Sequence, residues 1–188
     1  MKLSKLALAL FIVVALFTIN VEGQEKPLQL NVIENRHALD ICPLSPVMNI
    51  WAVHYTYKLT PKDELITGLS YMNIKYEGVG ETNSPALILG YRRYLWKNLH
   101  VEYEIWPCYD DFWEYNEKKY YSGFDLWNEF RVGYLFDFNI GKVPMYLNLQ
   151  WPFGFGLYGS NKPDSFWELQ KDNKFFYFPP LFFIGFRF

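Results

Sequence analysis

The chain has 188 residues with 18 Lys+Arg against 20 Asp+Glu, one domain's length at a near-neutral balance that excludes an electrostatically driven nucleic-acid binder. Aromatic residues make up 21% and charged residues 20%, which excludes disorder. Two cysteines are too few for a disulfide scaffold or a four-cysteine zinc site, and neither a metal nor an organic cofactor is expected.

In chain order, residues 1–23 read as a secretory signal peptide. Lys2 and Lys5 precede an apolar run from Leu6 to Ile19 broken only by Thr18, and Val21 and Gly23 occupy the −3 and −1 positions of a cleavage site. The run is short for a spanning helix, so the expected mature domain is 24–188, and none of its later stretches is long and apolar enough to be a transmembrane helix.

From residue 47 onward, alternation with period two dominates. In Leu99–Ile105, Leu99, Val101, Tyr103 and Ile105 take one face, and His100, Glu102 and Glu104 take the other. Phe130, Val132, Tyr134, Phe136 and Phe138 are likewise opposed to Asp125, Glu129, Arg131 and Asp137. Val143–Leu157 repeats the pattern. Eight strands are predicted, at 27–35, 47–59, 64–76, 86–96, 99–106, 120–138, 143–157 and 175–188, the first with the weakest pattern. The connections alternate: long at 36–46, 77–85, 107–119 and 158–174, short at 60–63, 97–98 and 139–142. That rhythm predicts an all-β fold, an eight-stranded antiparallel up-and-down transmembrane β-barrel.

A soluble lipocalin-type barrel has the same strand count with the faces reversed. Two features oppose it. The polar face of Val143–Leu157 carries no charge to meet water, and an eight-stranded interior has little room for so many Phe, Trp and Tyr. Against lipid the same residues supply interfacial girdles.

The chain ends in Phe188, preceded at every second position by Phe186, Ile184 and Phe182. This pattern resembles the C-terminal assembly signal of bacterial outer-membrane β-barrels, and the mature chain is similar in size to the small OmpA/OmpX class. The resemblance implies residence in the cell outer membrane, contact with outer-membrane lipid, and insertion by the barrel-assembly machinery. A monomer is expected, non-enzymatic, displaying its long loops for adhesion or an extracellular partner.

With the apolar face toward lipid, the lumen receives Glu102, Glu104, Asp125, Glu129 and Arg131, with His100 and His54. Across the Lys97-Asn98 turn, a two-residue loop sets Arg93 opposite Glu102, and a three-residue loop sets Arg92 there. The second is preferred because it sends Leu87, Leu89 and Tyr91 to lipid. Buried charges must be paired, so Arg92, Arg131 and Arg187 are expected to balance the lumen carboxylates as a plug.

The alternative is a lipid-modifying site built from His54, Thr56, His100 and Glu102. Lipid A deacylase barrels carry a His-x-Ser motif; this chain offers His54-Tyr-Thr56 and His100-Val-Glu102 instead. Palmitoyltransferase barrels need an apolar lumen, which the charges argue against. His100 and Glu102 supply two metal-type ligands on one strand face without a third at a recognisable spacing. Cys42 and Cys108 fall in long loops on one predicted side and are a candidate disulfide.

Overall fold

The computed structural model describes residues 35–172, 174–177 and 179–188. The expected signal peptide at 1–23, and the expected first strand at 27–35 except its last residue, lie outside the described residues.

The strands are β1 (His37–Ile41), β2 (Ile50–Thr60), β3 (Asp63–Tyr76), β4 (Gly80–Trp96), β5 (Leu99–Glu114), β6 (Lys119–Ile140), β7 (Val143–Gly159), β8 (Phe176–Tyr177) and β9 (Leu181–Arg187). A 3-10 turn at Ser45–Met48 follows β1, and a helix, α1 (Asp164–Asp172), follows β7. Among the described residues, no helix is long and apolar enough to cross a membrane.

Successive strands pair antiparallel from β1 to β7, and β9 bonds both β7 and β1, closing an eight-membered up-and-down ring. The short β8 pairs with Phe153 and Gly154 of β7, in line with β9. The expected strand at 175–188 is therefore interrupted at Pro179-Pro180, which have no N–H to give the ladder.

The first ring strand is His37–Ile41, inside the stretch expected to be a long loop. It alternates like the others, with Ala38 and Asp40 buried, but five residues containing an inward Asp give little apolar signal. The expected loops at 77–85 and 107–119 are mostly strand as well, since β4 begins at Gly80 and β5 runs to Glu114. There Glu81, Asn83 and Asp111 occupy the outward register, so the apolar alternation ends while the backbone ladder continues.

The tight turns set the register in two steps. Trp96 pairs with Leu99 across a two-residue turn with Lys97 at φ 50°, and a bulge then shifts the pairing to Tyr94 with His100. Arg92 consequently stands opposite Glu102, and Leu89 opposite Ile105. The β2–β3 turn does the same, from Thr60–Asp63 to Lys58–Glu64.

Charged side chains are gathered inside the ring and many large apolar ones lie on its outside. Arg92, Glu64, Glu102, Glu104 and Arg131 are buried inside the ring, whereas Leu65, Leu69, Leu87, Leu89, Val132 and Phe136 are exposed outside it. On the β3–β4 hairpin, polar pairs bound the apolar exterior at both ends. On the tight-turn side Arg93 bonds Asp63 at 2.9 Å. On the far side Asn73 bonds Asn83 at 2.7 Å, and Lys75 lies 3.9 Å from Glu81. The interior is filled by pairing large side chains with glycines: a Cβ on Gly133 would lie 2.6 Å from the His100 ring, and one on Gly90 would lie 2.8 Å from Glu104.

Candidate functional site

The lumen is layered. Near the tight turns, Ala38, Tyr94, Leu135 and Tyr146 form an apolar floor. Above it lies a connected charge network contributed by six strands. Arg187 (β9) reaches Glu64 (β3) at 3.1 Å, and Glu64 accepts from Arg92 (β4) at 2.8 Å. Arg92 bonds Glu102 (β5) at 2.6 Å, whose other oxygen accepts from Arg131 (β6) at 2.9 Å. Arg131 also pairs with Glu104 at 2.9 Å and Glu129 at 2.6 Å, and Gln150 (β7) donates to Glu102 at 3.0 Å. Trp106 donates to Glu104 at 2.9 Å.

His54 (β2) sits beside this chain of ions. Its Nδ1 is 3.0 Å from Asp40 (β1), which also accepts from the Tyr146 hydroxyl at 2.6 Å. Its Nε2 faces Glu104 at 3.8 Å. Five carboxylates (Asp40, Glu64, Glu102, Glu104 and Glu129) thus meet three arginines, with Lys58 at the edge, 3.9 Å from Glu64. Each carboxylate here has a cationic or hydrogen-bonding partner, which is the condition for keeping charge in a low-dielectric interior.

Higher in the lumen the lining turns apolar. Ile66, Ala86, Ile88, Trp106 and Cys108 form one cluster; Cys42, Leu181 and Phe183 form another, with Met48 packed against it. Between them is a cavity of about 30 Å³, reached by His54, Trp106 and Phe183, room for no more than one or two waters.

At the long-strand end a second charge cluster caps the lumen. Lys162, just before α1, is buried between Asp110 and Asp125, 2.9 Å from the latter, and Asp110 also accepts from Thr82. Its ammonium lies 4.9 Å from the Phe166 ring centre and 5.3 Å from that of Phe112.

The residues singled out in the sequence therefore fall in several places. Arg92, Glu102, Glu104, Glu129, Arg131 and Arg187 come together in the network, whereas Asp125 belongs to the separate cluster at the far end. Asp40, Glu64, Tyr146 and Gln150 complete the network and were not anticipated. Glu64 was legible: it shares a strand face with Ile66 and Ser70, and pairing across the neighbouring hairpin sets it opposite Arg92.

His54 and Thr56 share the inward face, but His54 is engaged by Asp40. His100 is tied to the turn carbonyl of Asn98 at 3.2 Å and seated on Gly133, so the four candidate catalytic residues do not converge on one atom. Among the described residues no His, Cys, Asp or Glu group is arranged to hold a metal. Cys42 and Cys108 are both free, buried thiols in different apolar clusters; Cys108 lies within β5 rather than in a loop. Phe182, Ile184, Phe186 and Phe188 take the outward register of β9, with the last three exposed. No protein-family model matches this chain, and neither do the curated proteins or the solved structures.

Proposed function

We propose that the chain is an integral outer-membrane β-barrel, exported through its N-terminal segment, whose charged lumen is a structural plug and whose extended hairpins are displayed outside the cell for an adhesive or partner-binding role. The observation that carries this reading is the apolar exterior, which on β3 and β4 has polar boundaries. From Asp63 to Asn73 the strand advances ten residues; at roughly 3.3 Å each and a tilt of roughly 40°, that is about 25 Å of height, the apolar band of a transmembrane barrel. The longest strand has 22 residues, against the about 9–11 needed to span, so it projects well past the band. A network of paired ions filling an eight-stranded interior blocks conduction.

Water around this barrel would leave Leu65, Leu69, Leu87 and Leu89 hydrated on adjoining strands, a cost that a lipocalin-like binder would have to bear without compensation. Gel mobility of the outer-membrane fraction, with and without boiling, tests the assignment. A band in that fraction that shifts on boiling is expected; a soluble protein without a shift overturns it.

One observation favours a lipid-modifying alternative: Asp40 orients His54 as a carboxylate orients a catalytic imidazole. Alanine changes at His54, Thr56, His100 and Glu102 separate the two readings. The plug predicts lost stability with unchanged membrane lipids, and the enzyme predicts the reverse.

A further inference from the structure

We propose that the segment from Ser160 to Asp172 is a lid on the long-strand end of the ring, latched by Lys162 and Phe166, whose opening gives access to the apolar upper lumen from outside. The lid belongs to the ring itself and does not depend on lipid around it.

Its attachment differs from that of the ring strands. The strands are held by continuous backbone ladders, but this segment is held at a hinge and by side chains. The hinge is Ser160-Asn161: the Ser160 N–H donates to the Phe124 carbonyl at 3.0 Å, and the Asn161 amide donates to that of Ser122 at 2.7 Å. Gly123 permits this approach, since a Cβ there would stand 2.5 Å from the Ser160 carbonyl oxygen.

Beyond the hinge come the latches. Lys162 enters between Asp110 on β5 and Asp125 on β6. Phe166 packs edge-on against Phe112 at 5.2 Å and Tyr76 at 5.4 Å. Ser165 reaches Glu114 at 3.3 Å. At the other end of the segment, the two-residue β8 and the Pro179-Pro180 break give only a short ladder before β9 resumes.

Removing the lid would expose the packed apolar upper lumen rather than open a pore. Beneath Phe112 the lining is Cys108, Trp106, Ile88 and Ile66, and beneath that the arginine–carboxylate network still closes the lumen. Asp110 keeps its Thr82 partner when Lys162 leaves, so the anionic half of the latch stays on the wall. Elements held by a few side-chain contacts open at lower free energy than the ladders beside them.

Cys108 is a built-in reporter, buried on the upper lumen wall. The experiment uses the full chain with Cys42→Ser, refolded in detergent, and follows N-ethylmaleimide labelling of Cys108 beside the gel mobility of the folded barrel. Lys162→Met and Phe166→Ala are each expected to speed labelling at least tenfold while the folded band persists. In the chain without lid substitutions, the α1 amides should exchange faster than those of β5 and β6, at a rate matching Cys108 labelling. Labelling unchanged in both variants, labelling that appears only with loss of the folded band, or α1 amides that exchange together with the strands, would overturn the lid.

Discussion

Arg92 faces Glu102 across the β4–β5 pair, its Nε donating to one carboxylate oxygen at 2.6 Å while the other oxygen accepts from Arg131 on β6 at 2.9 Å. One buried carboxylate thereby binds guanidinium groups from both neighbouring strands. A slip of one residue in either hairpin would turn a charge outward and strand its partner inside, so the network fixes register as well as filling the lumen.

Glu102→Ala should therefore cost about 3–5 kcal/mol, because it leaves two buried arginines short of an acceptor. Urea titration of the refolded barrel, read by tryptophan fluorescence, measures it. Adding Arg131→Ala should cost less than the sum of the two single changes, since the residues share one network; strict additivity would show that the ions act separately.

The inward glycines make a steric prediction. Gly133→Ala places a Cβ 2.7 Å from the Leu149 carbonyl oxygen and 2.6 Å from His100, and should cost roughly 1–3 kcal/mol. Gly185→Ala collides with the Tyr146 ring. Tyr146→Ala should relieve much of that second clash. It cannot relieve the first, where backbone stands in the way. Folded fraction against denaturant distinguishes the two.

Substitutions on the exterior test the proposed bilayer band. Leu89→Arg, at the middle of the band, should weaken folding into lipid vesicles by roughly 2–4 kcal/mol, whereas Asn83→Arg, at its outer boundary, should cost about 0–1 kcal/mol. Equal effects at both positions would count against a membrane.

Phe188 closes the ring: its N–H donates to the His37 carbonyl at 2.8 Å, its own carbonyl accepts from His37 at 3.1 Å, and the two rings stack. Deleting it should lower the amount of heat-modifiable barrel in cells and also lower the denaturation midpoint of the refolded protein. Loss in cells with an unchanged midpoint would assign Phe188 to recognition by the assembly machinery alone.

The alternation of apolar and polar residues was enough to identify strands 2 to 7 and their two faces, because a side chain's face in a strand follows from its position parity alone. The β4–β5 register was legible for a related reason: only one offset keeps Leu87, Leu89 and Tyr91 on the apolar side. Elsewhere the signal failed where strand no longer meant alternation. His37–Ile41 is short and carries an inward Asp40 whose value lies entirely in His54 and Tyr146, 14 and 106 residues away. Beyond the apolar band, Asp110, Asp111 and Glu114 look like an acidic loop, although the ladder runs through them.

Local pattern thus determined the class of fold, the inward set of charges and the outward set of aromatics, since each depends on residues one or two positions apart. Only the closed ring decided which charges meet: it brought Arg187 to Glu64 across 123 residues, moved Asp125 from the network to Lys162, separated Cys42 from Cys108, and folded α1 over the mouth. Those pairings depend on strand stagger and curvature, which arise when the last strand meets the first and are encoded in no single stretch of the chain.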